Sequence, residues 1–257
     1  MGRRPVSNPF NSDPVARRYA DGRPFYHRSA LGLAARQLGI GHARLAIDVA
    51  CGTGLSTQAL LELADHVIAI DASVAMLRAA RPQPRTRYLV ATAERIPLGD
   101  AAADLATVGA AFHWFHQPRA FAELARVLRS GAGLAVYSDF FSGQLAGQPA
   151  LGSWLKDSYL PRYPTPPRHA YFDSAAALPA GFGDVSYAED DIHIPLTRAQ
   201  LADYLLSQSN AAAAIEAGAI GAETLRNQIL DETAAFFPGQ GRADAIFGIR
   251  VWTTVRA

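Results

Sequence analysis

From Leu45 onward the chain alternates two kinds of hydrophobic pattern. Leu45-Ala46-Ile47-Asp48-Val49 is a short apolar run, which predicts a buried strand. Leu55, Ala59, Leu60 and Leu63 then recur near one face at helical spacing. Residues 67–70 predict a second strand, and 74–80 a helix with Ser73 as its cap. Residues 87–90 and 104–108 predict a third and a fourth strand. Phe121, Leu124, Ala125 and Leu128 make 118–128 an amphipathic helix with Pro118 in its first turn. Gly131 and Gly133 end that helix before a fifth strand over 134–141. Short apolar strands alternating with helices need a mainly parallel sheet covered on both faces. Residues 40–141 are therefore expected to form an α/β, doubly wound Rossmann-like sheet.

The flanks read differently. Residues 1–28 show little period and read as an arginine-bearing arm, with Arg3, Arg4, Arg17, Arg18, Arg23 and Arg28 against Asp13 and Asp21. Ser29 is the expected cap of a helix over 30–38, ended by Gly39 and Gly41. Tyr159-Leu160-Pro161-Arg162-Tyr163-Pro164-Thr165-Pro166-Pro167 is expected to be neither regular helix nor central strand. Residues 185–194 predict a strand, 197–236 two or three helices, and 246–255 a final strand. The division expected is a single domain over 1–257, with 142–183 and 197–236 as cap segments.

Composition narrows the function. A net charge of +1 and no stripe of basic residues argue against a nucleic-acid partner. No apolar run reaches the roughly 18 residues a membrane helix needs. Cys51 is the only cysteine, so no intrachain disulfide forms, which fits a reducing compartment and a cytoplasmic location. No zinc spacing and no Gly-x-Ser-x-Gly elbow appears, so no metal is expected.

The chemistry-bearing segment is Asp48-Val49-Ala50-Cys51-Gly52-Thr53-Gly54, between a strand and a helix. Glycine there lets backbone approach a ligand, and the helix start offers unpaired N–H groups. Asp71 ends the next apolar strand, where a carboxylate can accept from ribose hydroxyls. Thr57 stands where a dinucleotide fingerprint wants its third glycine, which disfavours NAD. A phosphate loop would need a lysine, and Lys156, far along the chain, is the only one.

Over residues 45–140 this pattern resembles the class I S-adenosylmethionine-dependent methyltransferases of the small-molecule branch. Asp48 to Gly54 is similar to their Asp-x-Gly-x-Gly-x-Gly turn, with Ala50 in place of the first glycine. Ile70-Asp71-Ala72-Ser73-Val74-Ala75-Met76-Leu77 resembles the segment that holds the ribose. Ala91-Thr92-Ala93-Glu94-Arg95-Ile96-Pro97-Leu98 resembles the segment beside the adenine. Ala110-Ala111-Phe112-His113-Trp114-Phe115 lies where the methionine part sits, and Leu128-Arg129-Ser130-Gly131-Ala132-Gly133 is similar to the turn into strand five. Tyr19-Ala-Asp-Gly-Arg-Pro-Phe-Tyr26 is similar to a stretch in relatives of trans-aconitate methyltransferase, where the N-terminal segment folds over the cofactor. The Asp/Asn-Pro-Pro-Tyr/Phe stretch of enzymes that methylate amide or base nitrogens is absent.

The resemblance implies an antiparallel last strand and methyl transfer from S-adenosylmethionine to a small molecule. It implies a cofactor set of Tyr19, Asp48, Ala50, Cys51, Gly52, Thr53, Gly54, Asp71, Ala72, Met76, Ala93, Glu94, Ala110 and His113. His113 has two readings: general base, with an ordinary pKa of about 6.5, or wall of the cofactor pocket. Tyr26, His27, Trp114, Tyr159 and His169 are candidates for the acceptor side; packing within the arm and cap, or a solvated loop for His169, is their alternative reading. Two other functions stay open: an enzyme that keeps the cofactor to steer a different reaction, and a non-catalytic binding protein.

Overall fold

In the computed structural model, which describes residues 9–237 and 241–257, the alternation builds one seven-stranded sheet in the order β3-β2-β1-β4-β5-β7-β6. The strands are β1 (Ala43–Val49), β2 (Ala64–Asp71), β3 (Thr86–Val90), β4 (Ala103–Gly109), β5 (Leu128–Leu145), β6 (Ser186–Thr197) and β7 (Arg242–Val255). β1 pairs in parallel with β2 and β4, β2 with β3, and β4 with β5. The last strand runs antiparallel to its neighbour. Strand order reverses at β1, which has β2 on one side and β4 on the other. In open α/β sheets, ligands bind outside the carboxyl ends of the strands at such a switch point. The carboxyl end of β1 leads straight into Ala50 to Gly54.

The helices are α1 (Asp13–Gly22), α2 (His27–Leu38), α3 (Leu55–Leu60), α4 (Val74–Ala79), α5 (Gln117–Val127), α6 (Ala150–Trp154), α7 (Leu160–Arg162), α8 (Ser174–Ala177), α9 (Arg198–Leu206), α10 (Ser209–Glu216) and α11 (Ala222–Glu232). Three expectations need correction. The arm is not without period: α1 opens with Pro14 in its first turn and buries Val15, Ala16 and Gly22. Arg3 and Arg4 lie outside the described residues. α2 starts at His27 rather than after Ser29, because Tyr26 already closes the first turn by accepting from the Ala30 N–H at 3.3 Å. Leu160–Arg162 is helical despite Pro161, continuing a π-helical turn over Leu155–Tyr159 that follows Ala150–Trp154, and the helix stops at Tyr163.

The chain divides into two compact units. One comprises Phe25–Asp139, Arg168–Asp190 and Ile249–Ala257. Its core joins Ile47, Val49, Ile70, Val108, Phe112, Phe121, Leu124, Leu134 and Phe182, all nearly inaccessible. The other comprises the chain through Pro24, Phe140–Pro167 and Asp191–Gly248. Its core joins Leu151, Tyr159, Leu201, Leu205, Leu225, Ile229 and Phe247. Within it α1 packs on α9, where Gly22 is required because a Cβ would strike the Asp203 carbonyl. Thr197 and Gln200 close a reciprocal cap at the start of α9. Residues 168–183, grouped by sequence with the cap, belong instead to the unit that holds the Gly-rich turn. Among the described residues no helix is long and apolar enough to cross a membrane.

Candidate active site

The turn after β1 adopts the left-handed backbone at alternate positions: φ is +57° at Ala50, +55° at Gly52 and +84° at Gly54. Glycine adopts that region at no steric cost, whereas an alanine there costs about 1–2 kcal/mol. Ala50 therefore keeps the turn's conformation and carries its strain, which is more than the slight adjustment its small size suggests. At Gly54 an added Cβ would lie 2.7 Å from the Tyr88 hydroxyl.

Two carboxylates hold this turn. Asp48, fully buried at the end of β1, accepts at Oδ2 from Ser56 Oγ at 2.7 Å and from Thr57 Oγ1 at 2.6 Å. The residue that displaced the dinucleotide glycine thus fastens Asp48 to the first turn of α3. Burial, aided by the nearby Asp71 charge, pushes the Asp48 carboxyl up to about 6, against the pull of the Thr57, Ser56 and Thr107 hydroxyls. Its Oδ1 is buried with no hydrogen-bond partner, as is Thr53 Oγ1 in the turn itself. Asp71 ends β2 and accepts from the Gly52 N–H at 2.8 Å and from the Ser73 N–H at 2.7 Å. Burial raises its pKa as well. Asp71 therefore ties the turn to the start of α4, and what remains for a ribose is the second lone pair on each oxygen. Burial also raises Cys51, so its thiol stays neutral.

The remaining expected cofactor residues lie on the segments that follow β2, β3 and β4. Ala72 is exposed beside Asp71, and Met76 is buried in α4, where its N–H donates to Ser73 Oγ at 3.2 Å. Ala93 is buried, whereas Glu94 accepts from the His116 N–H at 3.0 Å and so serves the start of α5. Ala110, past the end of β4, is left-handed at φ +52°, as are Ala50 and, in the turn before β4, Ala101, and its N–H donates to the Tyr137 carbonyl at 2.7 Å. Strained backbone of this kind clusters at functional sites.

His113 follows in a single tight turn, Phe112–Trp114, and is buried. Its backbone carbonyl accepts from the His169 N–H at 3.1 Å, and the His169 side chain is exposed. Gln117 completes the clamp: its Nε2 donates to the Ala170 carbonyl at 2.6 Å and its Oε1 accepts from the Asp173 N–H at 2.9 Å. The clamp brings Arg168 Nη1 to 3.5 Å from His113 Nε2, while the same nitrogen donates to the Tyr171 hydroxyl at 3.2 Å. The rings of Trp114 and Tyr171 lie 4.8 and 4.9 Å from the imidazole. Sequence reasoning missed Ser56, Gln117 and Arg168, because nothing in local spacing joins residue 117 to 170 or 168 to 113.

The other acceptor-side candidates divide. Tyr26 and His27 are buried, stacked at 4.2 Å, and His27 Nδ1 lies 3.0 Å from the Tyr137 hydroxyl. Tyr19 and Tyr159 belong to the other unit. There Arg23 covers the Tyr19 ring at 4.7 Å, and Tyr159 is buried with its hydroxyl donating to the Leu205 carbonyl at 3.3 Å.

Residues 47–136 match the family model described as a methyltransferase domain. Those residues carry the methyltransferase domain of the class I fold. The domain resembles an uncharacterized methyltransferase of Mycobacterium tuberculosis, at 41% identity over 137 residues, 52% of this chain and 53% of that protein. It also resembles the malonyl-[acyl-carrier protein] O-methyltransferase of Serratia marcescens, at 36% identity over 43% of this chain and 45% of that protein. The chain thus spans about half the length of the curated relatives it matches. Among solved structures, a putative type II methyltransferase from Anaeromyxobacter dehalogenans superposes with a TM-score of 0.67 at 26% identity, covering 91% of this chain and 96% of that one. The [4+2]-cyclase SpnF shares the fold alone, with a TM-score of 0.53 at 17% identity over 89% of this chain and 81% of its own. The α/β methyltransferase fold read from the sequence stands.

Proposed function

We propose that this protein is an S-adenosylmethionine-dependent methyltransferase acting on a small-molecule acceptor. The observation that carries the reading is the turn from Asp48 to Gly54. Its left-handed backbone, the buried Thr53 Oγ1 that has no partner, and Asp71 at the end of the next strand fit a ligand with a polar amino-acid part and a ribose. Buried polar atoms without partners are costly in an empty protein and become useful when a ligand supplies the missing donors. Asp71 would hold the ribose, Met76 and Ala93 would flank the base, and Ala110 and His113 would face the methionine part. When bound, the cofactor supplies a sulfonium methyl group that a nucleophile can take. The chain's part is to hold an acceptor in line with that group and to exclude water, which alone is worth effective molarities of about 10⁵ M or more.

The stretch from Tyr19 to Tyr26 supports the branch similar to trans-aconitate methyltransferase, and the single reduced-type cysteine supports a cytoplasmic location. Calorimetric titration with S-adenosylmethionine, S-adenosylhomocysteine and NAD tests the cofactor. We expect the first two to bind and NAD not to; NAD binding alone would overturn the reading. Because a [4+2]-cyclase shares the fold, product mass is the second readout. A product heavier than the acceptor by one methylene, with S-adenosylhomocysteine formed in equal amount, is expected. Turnover without that gain would replace transfer by a steering role, and no turnover over a broad panel of acceptors would favour a binding protein.

A further inference from the structure

We propose that Arg168 anchors an anionic oxygen acid on the acceptor, a carboxylate above all, beside His113; the proposal rests on the methyltransferase reading. A guanidinium offers five N–H donors and no acceptor. Among the described residues the hydrogen bonds of Arg168 run through Nη1, to His113 Nε2 and the Tyr171 hydroxyl, and its guanidinium carbon lies 6.0 Å from the Tyr171 ring centroid. Among the described residues no carboxylate pairs with it, whereas the partly buried Arg126, Arg226 and Arg250 pair with Glu123, Asp203 and Glu189. The Nε and Nη2 edge, which presents two parallel N–H groups, is left for a partner from outside. That edge matches a carboxylate bidentately, with a specificity that a lysine could not give.

The setting is built rather than incidental. The loop carrying Arg168 is pinned by the His113 carbonyl on His169 and by both ends of the Gln117 amide on Ala170 and Asp173. The guanidinium is partly withdrawn from water, where a charge-assisted pair is stronger than on an open surface. The Tyr171 ring lies 6.0 Å from the guanidinium carbon, and Trp114 flanks the neighbouring His113 ring, so apolar surface for the rest of an acid is at hand. The same geometry bears on the base question. Arginine can only donate, so a His113 that accepts this contact at Nε2 would carry its ring proton on Nδ1. With that lone pair turned to Arg168, Nε2 is not placed to take a proton from the acceptor. An acceptor that arrives ionised needs no such base, which fits an anion held by Arg168.

Calorimetry with benzoate and benzamide, run with and without saturating S-adenosylhomocysteine, tests the anchor on wild type, Arg168→Gln and Arg168→Lys. The two probes share a ring and differ in charge. We expect benzoate to bind and benzamide not to. Arg168→Gln should weaken benzoate by roughly tenfold or more, and Arg168→Lys should restore only part of it, since the bidentate edge is lost. S-adenosylhomocysteine affinity should be unchanged in both variants, which also shows that they fold. Equal binding of the two probes, no detectable benzoate binding, or unchanged benzoate affinity in Arg168→Gln would overturn the proposal. Failure of the cofactor reading shows separately, as loss of S-adenosylhomocysteine binding to the wild type.

Discussion

Asp48→Asn should change how stability depends on pH. The wild-type carboxyl is fully buried and titrates at about 6, against 3.8 for the exposed group. Below about pH 4 both folded and unfolded chains hold the proton, and the folded state bears no penalty from this residue. As pH rises from 3.8 towards 6 the unfolded chain releases the proton while the folded chain keeps it, so unfolding becomes more favourable. Above 6 both states are ionised and the loss levels off. A shift of about two units corresponds to about 3 kcal/mol of stability, present in acid and absent at pH 7 and above. Asparagine has the same shape, can still accept from Ser56 and Thr57, and does not titrate, so its curve should lack this step. Urea unfolding of both proteins from pH 4 to pH 8 gives the difference directly, since other titrating groups cancel. Asp48→Asn should gain on wild type by about 3 kcal/mol across that window. Parallel curves would mean that Asp48 is not the buried, raised carboxyl described here.

Other expectations follow from the same turn. Ala50→Gly relieves a left-handed alanine at about 1–2 kcal/mol and adds chain entropy to the unfolded state at about 0.4–1 kcal/mol. It should therefore be slightly more stable by urea unfolding; a clear loss would contradict the strain at +57°. Gly54→Ala meets the Tyr88 hydroxyl and a left-handed backbone together, so it should lose stability. Adding Tyr88→Phe should recover part of that loss, and strict additivity of the two changes would refute the contact. Asp71→Ala frees the Gly52 and Ser73 N–H groups and should weaken S-adenosylmethionine binding by about 1.5–3 kcal/mol. Unchanged affinity in calorimetry would remove Asp71 from the site.

The parts legible in the sequence are those carried by local periodicity. Apolar runs of strand length and a 3.6-residue repeat report burial directly, so β1 to β5 and the helices between them could be read from pattern alone. The Asp48 to Gly54 turn was equally legible, because backbone of that shape restricts residue type position by position. α1 was missed because its buried stripe is only Val15, Ala16 and Gly22, too short to show a period. The division of the chain was also missed: residues 168–183 join the unit of the Gly-rich turn, where Gln117 donates to the Ala170 carbonyl and the His113 carbonyl accepts from the His169 N–H.

The sequence by itself determined the α/β class, the Gly-rich turn and the acid at the end of the next strand, since each depends on residues close in the chain. Only the tertiary structure decided what those groups do to one another. It set Thr57 and Ser56 on Asp48, tied Asp71 to the Gly52 N–H, and placed Arg168 beside His113. Such contacts join residues whose spacing along the chain obeys no period, and a carboxyl pushed up by burial has no signature in composition. Burial and partner are properties of the folded neighbourhood, so they become visible only once the chain has closed on itself.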